Sequence, residues 1–161
     1  MTAPVLVTGA NGFVGSHVVD ELLRRGMPVR AAVRPSSRVE DLPRDRVDLR
    51  RVDYAEPGSV EALVDGTRGV IHVAGATRAA SEADYERANV HTTRTLIEAC
   101  VRSPQISDGF VLVSSLAAAG PSTRDRARDE AQPERPISAY GRSKLRAETA
   151  VRELAGDRLA W

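Results

Sequence analysis

A chain of 161 residues with 23 basic and 22 acidic side chains, net +1, is the size of one ordinary domain. It lacks the single-sign charge block that would direct it to nucleic acid or an anionic membrane. Cys100 is the only cysteine, which excludes an internal disulfide and a multi-cysteine zinc site, and no metal site is expected.

The opening MTAPVLVTGANG lacks the basic stretch of a signal peptide. No apolar run approaches the roughly 18 residues of a membrane span, so the expectation is a soluble, cytoplasmic protein. Val5, Leu6 and Val7 form a short apolar run, the pattern of a strand buried on both faces. VTGANGFVG follows at 7–15, and Phe13, Val14, Val18 and Leu22 then recur at helical spacing until Gly26 stops the pattern. Strand, glycine turn and helix succeed one another.

In such a unit Gly9 permits the tight turn, Gly12 lets a pyrophosphate approach the backbone, and Gly15 lets helix and strand pack closely. The free N–H groups at the helix start favour an anion. A merely flexible turn is the alternative, and the placement between a buried strand and a helix favours the phosphate cradle.

Val29 to Val33 reads as the second strand, ending in AAVRPSSR. An acidic residue at that end holds a free ribose 2′-hydroxyl, whereas arginine suits a 2′-phosphate. Here the end carries Val33 and Arg34, followed by Ser36 and Ser37 as donors and Arg38 as a second planar cation. NADP(H) is therefore favoured over NAD(H), unless both arginines are simply solvated loop charges. Val47 to Val52 reads as the third strand, and Asp53 beyond it either reads an adenine amino group or caps the following turn.

Glu56 to Val64 reads as a short helix opened by Pro57, and Gly69 to Ala74 as a fourth buried strand. Ser81 to Arg102 carries the longest helical pattern, with Val90, Thr93, Leu96, Ile97, Cys100 and Val101 along one side. Phe110 to Ser114 is the fifth strand, and the polar stretch from Leu116 to Ile137 has the length of a functional loop. Ser138 to Leu154 reads as a further helix, and Arg158 to Trp161 as the opening of a sixth strand, cut short. Alternating strands and helices imply an α/β fold with a Rossmann-type, doubly wound parallel sheet.

AYGRSK places Tyr140 and Lys144 four apart on one helix face. A phenol with an ordinary pKa of about 10 is a poor acid-base group near neutrality, but a neighbouring ammonium lowers that pKa and lets it exchange a proton with a substrate oxygen. An exposed helix pair is the alternative. Lys144 is the only lysine, since 22 of the 23 basic residues are arginine, which favours the chemical reading. Ser114 and Ser115 end the fifth strand, where a hydroxyl either meets a reacting oxygen in the crevice or satisfies local backbone.

Together VTGANGFVG, VRAAVR, VDYAEPGSV, GVIHVAGAT, YERANVHTTRTLIEAC, VLVSSLAAAG and YGRSK, in this order across the chain, resemble the extended short-chain dehydrogenase/reductase family, also described as the NAD-dependent epimerase/dehydratase family. GMPVRAAVRPSS looks most like its dihydroflavonol reductase and cinnamoyl-CoA reductase branch. The resemblance implies Ser115, Tyr140 and Lys144 as catalytic residues, with Asn89 supporting the active-site network. It also implies cofactor contacts from Gly9, Asn11, Gly12, Phe13, Val14, Gly15, Arg34, Ser37, Arg38, Asp53, Tyr54, Val73, Ala74 and Gly75, together with Tyr140 and Lys144.

The implied activity is NADP(H)-dependent reduction of a small carbonyl substrate, or oxidation of the alcohol. A nucleotide-sugar epimerase with retained cofactor and a non-catalytic NADP-binding regulatory module are the alternatives. Ser115 is followed by Leu116 and Ala117 rather than the acidic pair of the sugar dehydratases, which disfavours dehydration. Family members continue into a small C-terminal substrate domain, so the chain reads as an N-terminal portion without most of the substrate pocket. The resemblance further suggests a homodimer through the helix near Val90 to Val101 and the helix after Tyr140, unless those apolar positions are intradomain core.

Overall fold

The computed structural model describes residues 2–125 and 127–161, so Arg126 in the expected long loop, like Met1, lies outside the described residues. Five parallel strands, β1 (Val5–Thr8), β2 (Val29–Val33), β3 (Asp48–Arg51), β4 (Gly69–His72) and β5 (Phe110–Leu112), form one sheet in the order β3-β2-β1-β4-β5. Val5 stands opposite Val29 on one side and Gly69 on the other, and Thr8 opposite Ala32 and His72. Because the strand order reverses at β1, a crevice opens beyond its carboxyl end, between β2 and β4.

Strand alternation sends side chains to two cores. Val5 and Val7 join Val19 and Leu22 of helix α1 (Phe13–Arg24) beneath one face. Leu6 points the other way, into a cluster with Val60 and Leu63 of α2 (Pro57–Val64), Leu96 and Ile97 of α4 (Thr92–Arg102) and Val151 of α6 (Ala139–Ala155). Helices on both faces make the sheet doubly wound, as the alternating pattern implies. Val90, Leu96, Ile97 and Cys100 are buried inside the chain, so these apolar positions are intradomain core. Burial pushes the Cys100 thiol up to about 12. On the α1 side the cover stops short: α1 packs on β1 and β2, and Val111 of β5 is 55% exposed there.

Three expectations need correction. The helical pattern over residues 81–102 is not one α-helix, but α3 (Glu82–Tyr85), a π-helical turn (Glu86–His91) and α4. The hydroxyls of Thr92 and Thr93 donate to the carbonyls of Arg87 (3.1 Å) and Asn89 (2.6 Å), bonds a sequence period does not announce. The expected loop after β5 begins with a helix, α5 (Leu116–Ala119). Arg158 to Trp161 forms no strand ladder; instead Phe110 N–H donates to Ala160 O at 2.8 Å, a single rung beside β5. Among the described residues no helix is long and apolar enough to cross a membrane.

Candidate active site

The turn after β1 is shaped by what its glycines exclude. Gly9 has φ +63, and a Cβ there would lie 2.8 Å from the backbone of Ala74. At Gly15 a Cβ would stand 2.1 Å from Gly9 O, so helix and turn touch only because the side chain is absent. Gly12 differs: its Cβ would meet Gly9 O at 3.2 Å and otherwise face open space. Internal packing thus requires Gly9 and Gly15, while Gly12 keeps a surface clear.

Gly12 is also the N-cap of α1, with no side-chain cap and no acidic residue in the first turn. By contrast α3 and α6 begin at Ser81 and Ser138, whose side chains accept from Asp84 N–H and Gly141 N–H. The start of α1 therefore keeps unpaired N–H groups and the positive end of a twelve-residue helix dipole, a site that favours an anion.

Around this start lies a groove of about 520 Å³. It is lined by Gly9, Asn11, Gly12, Phe13, Val14 and Gly15 from the turn, Arg34 and Ser37 beyond β2, Tyr54 beyond β3, and Val73, Ala74 and Gly75 beyond β4. All twelve are sequence-predicted cofactor contacts. Phe13 is 84% exposed at its mouth. The Tyr54 hydroxyl is buried beside that of Thr8 and, among the described residues, finds no well-formed hydrogen bond; burial pushes its pKa up, opposed by the Thr8 hydroxyl. A cleared backbone surface beside an unpartnered phenol fits a nucleotide that brings phosphate and polar groups of its own.

Arg38 lies outside this groove, in an adjoining cleft that shares Asn11, Gly12 and Phe13, and its carbonyl accepts from Asn11 Nδ2 at 3.1 Å. Asp53 is exposed, and its Oδ1 accepts from Ala55 N–H at 2.9 Å, so the structure shows the turn-capping contact. Arg51 donates to the carbonyls of Arg34, Pro35 and Ser37 and so fastens the loop that presents Arg34 and Ser37. Its position on β3, fourteen to seventeen residues away, gave no sequence signal.

The second part of the site gathers on α6. Ser115 caps α5, its Oγ accepting from Ala117 N–H at 3.2 Å. Helix α5 lies so close to α6 that a Cβ at Gly141 would stand 2.3 Å from Ala117 O. The glycine of AYGRSK is thus what lets α5, capped by Ser115, pack against α6, which carries Tyr140. Lys144 is 6% exposed, and its Nζ donates to Val113 O at 2.7 Å. Burial lowers the lysine's pKa, opposed by the nearby Glu148 carboxylate, which itself accepts from Ser114 Oγ. The Tyr140 ring is half-buried and packs 5.9 Å from that of Tyr85, tilted by 50°.

Asn89 joins the two parts. Its Oδ1 accepts from Ala76 N–H (2.7 Å), and its Nδ2 donates to Ala76 O (3.1 Å) and to Ser143 Oγ (2.8 Å), which in turn donates to Tyr140 O (2.7 Å). A Cβ on Gly75 would meet Asn89 Oδ1 at 2.7 Å. The amide thus links the groove wall to the helix of Tyr140 and Lys144. Ser143, Thr8, Ala76, Thr77, Ala88 and Thr92 also build or line the site, and only their neighbourhood to quoted motifs hinted at this.

Fold and groove define a Rossmann-type α/β domain with a crevice at its topological switch point. The chain belongs to the NAD dependent epimerase/dehydratase family, whose model matches residues 5–158. It is 30% identical to aldehyde reductase 2 of Sporidiobolus salmonicolor over 175 residues, covering 91% of this chain and 51% of that protein. Over 79 residues it is 44% identical to dihydroflavonol 4-reductase of Hordeum vulgare, covering 44% of this chain and 22% of that protein. Among solved structures it is similar to MoeE5 in complex with UDP-glucose and NAD, at TM-score 0.80 and 32% identity, covering 95% of this chain and 49% of that one. Matched over nearly its whole length, the chain spans about half of the length of such proteins.

Proposed function

We propose that this chain carries the dinucleotide-binding and proton-transfer residues of an NADP(H)-dependent oxidoreductase acting on the carbonyl, or the corresponding alcohol, of a small organic substrate. The observation that carries the reading is the uncapped start of α1 at Gly12, facing a groove whose β2 end presents Arg34 and Ser37. A pyrophosphate takes the N–H groups of the first turn, and a ribose 2′-phosphate takes the guanidinium and the hydroxyl. The reductases among the similar proteins support the reaction class.

When bound, the nicotinamide supplies hydride to the carbonyl carbon or removes it from the alcohol. Ser115 donates a hydrogen bond to the substrate oxygen. Tyr140 gives that oxygen its phenolic proton, or takes a proton from the alcohol. Lys144 has three N–H donors, one of them on Val113 O, and offers the rest to ribose hydroxyls while its charge favours the phenolate.

Calorimetric titration of the chain with NADPH and NADH tests the nucleotide choice. NADPH binds at least about tenfold tighter, a difference of about 1.4 kcal/mol, and Arg34→Ala removes the gap; equal affinities or an NADH preference contradict it. For the chemistry, Tyr140→Phe lowers NADPH oxidation by carbonyl compounds by a factor on the order of 10²–10⁴ with nucleotide affinity unchanged.

The likeness to MoeE5 with UDP-glucose and NAD favours a second reading, a nucleotide-sugar epimerase using the same Ser115, Tyr140 and Lys144. Protein that purifies with nucleotide it does not exchange would favour the epimerase.

A further inference from the structure

His72 ends β4, fully buried, with both ring nitrogens engaged: Nδ1 lies 2.6 Å from Thr8 Oγ1 and Nε2 3.1 Å from Thr93 Oγ1. Counting protons and lone pairs decides which partner donates. Thr8 Oγ1 accepts from the N–H groups of Val73 (3.2 Å) and Ala74 (3.1 Å), which occupies both its lone pairs. No lone pair remains for a ring N–H, and although the Tyr54 hydroxyl lies beside Thr8, the short contact is the one to Nδ1, so the Thr8 hydroxyl gives its one proton to His72 Nδ1. At the other side the Thr93 hydroxyl lies 2.6 Å from the carbonyl of Asn89, which only accepts. Its proton goes there, and its oxygen accepts from Nε2. The Thr8 end requires a bare Nδ1 and the Thr93 end a protonated Nε2; together they specify a neutral ring protonated on Nε2 alone.

A one-way relay results: the Val73 and Ala74 amides donate to Thr8, Thr8 to His72, His72 to Thr93, and Thr93 to the Asn89 carbonyl. Its first members form the groove wall, where Ala74 stands against Gly9. Its last member sits in the π-helical turn and holds Ala76 and Ser143 through its side chain. Burial, with a smaller contribution from the Lys144 charge, pushes the His72 pKa down to about 3, which keeps the ring neutral.

We propose that His72 is a positioning residue: locked as its Nε2–H tautomer, it holds the nucleotide-groove wall and the Asn89 turn in one register. The positioning role rests on the nucleotide reading of the groove; the tautomer does not.

Two substitutions divide the ring's work. His72→Asn keeps an acceptor near the Nδ1 position and loses the Thr93 contact. His72→Gln keeps a donor near Nε2 and strands the Thr8 hydroxyl. On histidine-labelled wild-type chain without nucleotide, long-range ¹H–¹⁵N correlation reads the tautomer directly, and between about pH 5 and 8 the His72 signal stays that of an Nε2-protonated neutral ring. In NADPH titrations both variants weaken binding about tenfold, because each breaks one end of the relay that joins the groove wall to the Asn89 turn. An Nδ1-protonated ring, a ring that titrates near neutrality, or two variants that bind as wild type does would each overturn the inference. Failure of wild type to bind either dinucleotide would overturn the groove reading and the positioning role together, leaving the tautomer result standing on its own.

Discussion

The two halves of the site are built from different material. Around α1 the backbone does the work: Gly9 and Gly15 let strand, turn and helix touch, and the bare cap at Gly12 leaves N–H groups facing the groove. Around α6 side chains do it: Ser138 caps the helix, Asn89 grips Ala76 and Ser143, and Lys144 reaches Val113 O. On the proposed reading the backbone cradle takes phosphates and the side-chain corner handles single protons. At Gly9 and Gly15 the first has no room for added atoms, whereas the second depends on the side-chain atoms it has.

The sharpest way to break this contrast is to add one methyl group. Gly15→Ala pushes a Cβ to within 2.1 Å of Gly9 O and destabilises the chain by about 3 kcal/mol or more in urea unfolding. Gly12→Ala meets the same oxygen at 3.2 Å with open space around it, so stability falls by less than about 1 kcal/mol. If both glycines respond alike in unfolding, the division between packing glycine and surface-clearing glycine is wrong.

Smaller over any one pH unit is an effect of acid. The His72 pKa is held near 3 in the folded chain, against an unfolded value of 6.5, so the unfolded state binds the extra proton first. Stability is fully present above about pH 6.5 and falls as pH drops toward 3, with a slope approaching about 1.4 kcal/mol per pH unit. Between about pH 6 and 5 this precedes the ordinary titration of carboxylates, and His72→Gln removes the slope. A wild-type stability flat through that interval would show the ring to be accessible.

Smallest is the cap. Ser138→Ala removes the bond to Gly141 N–H, 3.0 Å long, and costs about 1 kcal/mol in thermal or urea unfolding.

How much of this the sequence disclosed follows the same division. The cradle was legible because its parts are local: glycines at intervals of three, an apolar run before them and a helical period after. The five strands, the parallel sheet and all twelve groove contacts named above came from such short patterns and the family resemblance they carry. Much of the corner was not legible, since its supports join residues distant in the chain: Asn89 to Ser143 across 54 positions, Lys144 to Val113 across 31, Thr8 to His72 across 64. The π-helical turn escaped for a related reason, as its apolar spacing continues that of the flanking helix. At the end of the chain, apolar residues suggested a strand, yet only Ala160 reaches β5.

On the proposed reading the backbone at the start of α1 receives the phosphates of a dinucleotide, and the decisive experiment titrates ¹⁵N-labelled chain with NADPH while following each amide. The amides of Gly12, Phe13, Val14 and Gly15 are expected to shift first and furthest, together with those of Arg34 and Ser37, and Gly12→Ala to abolish these shifts without unfolding the chain. Binding that leaves the four turn amides unmoved, or shifts confined to other surfaces, would contradict it.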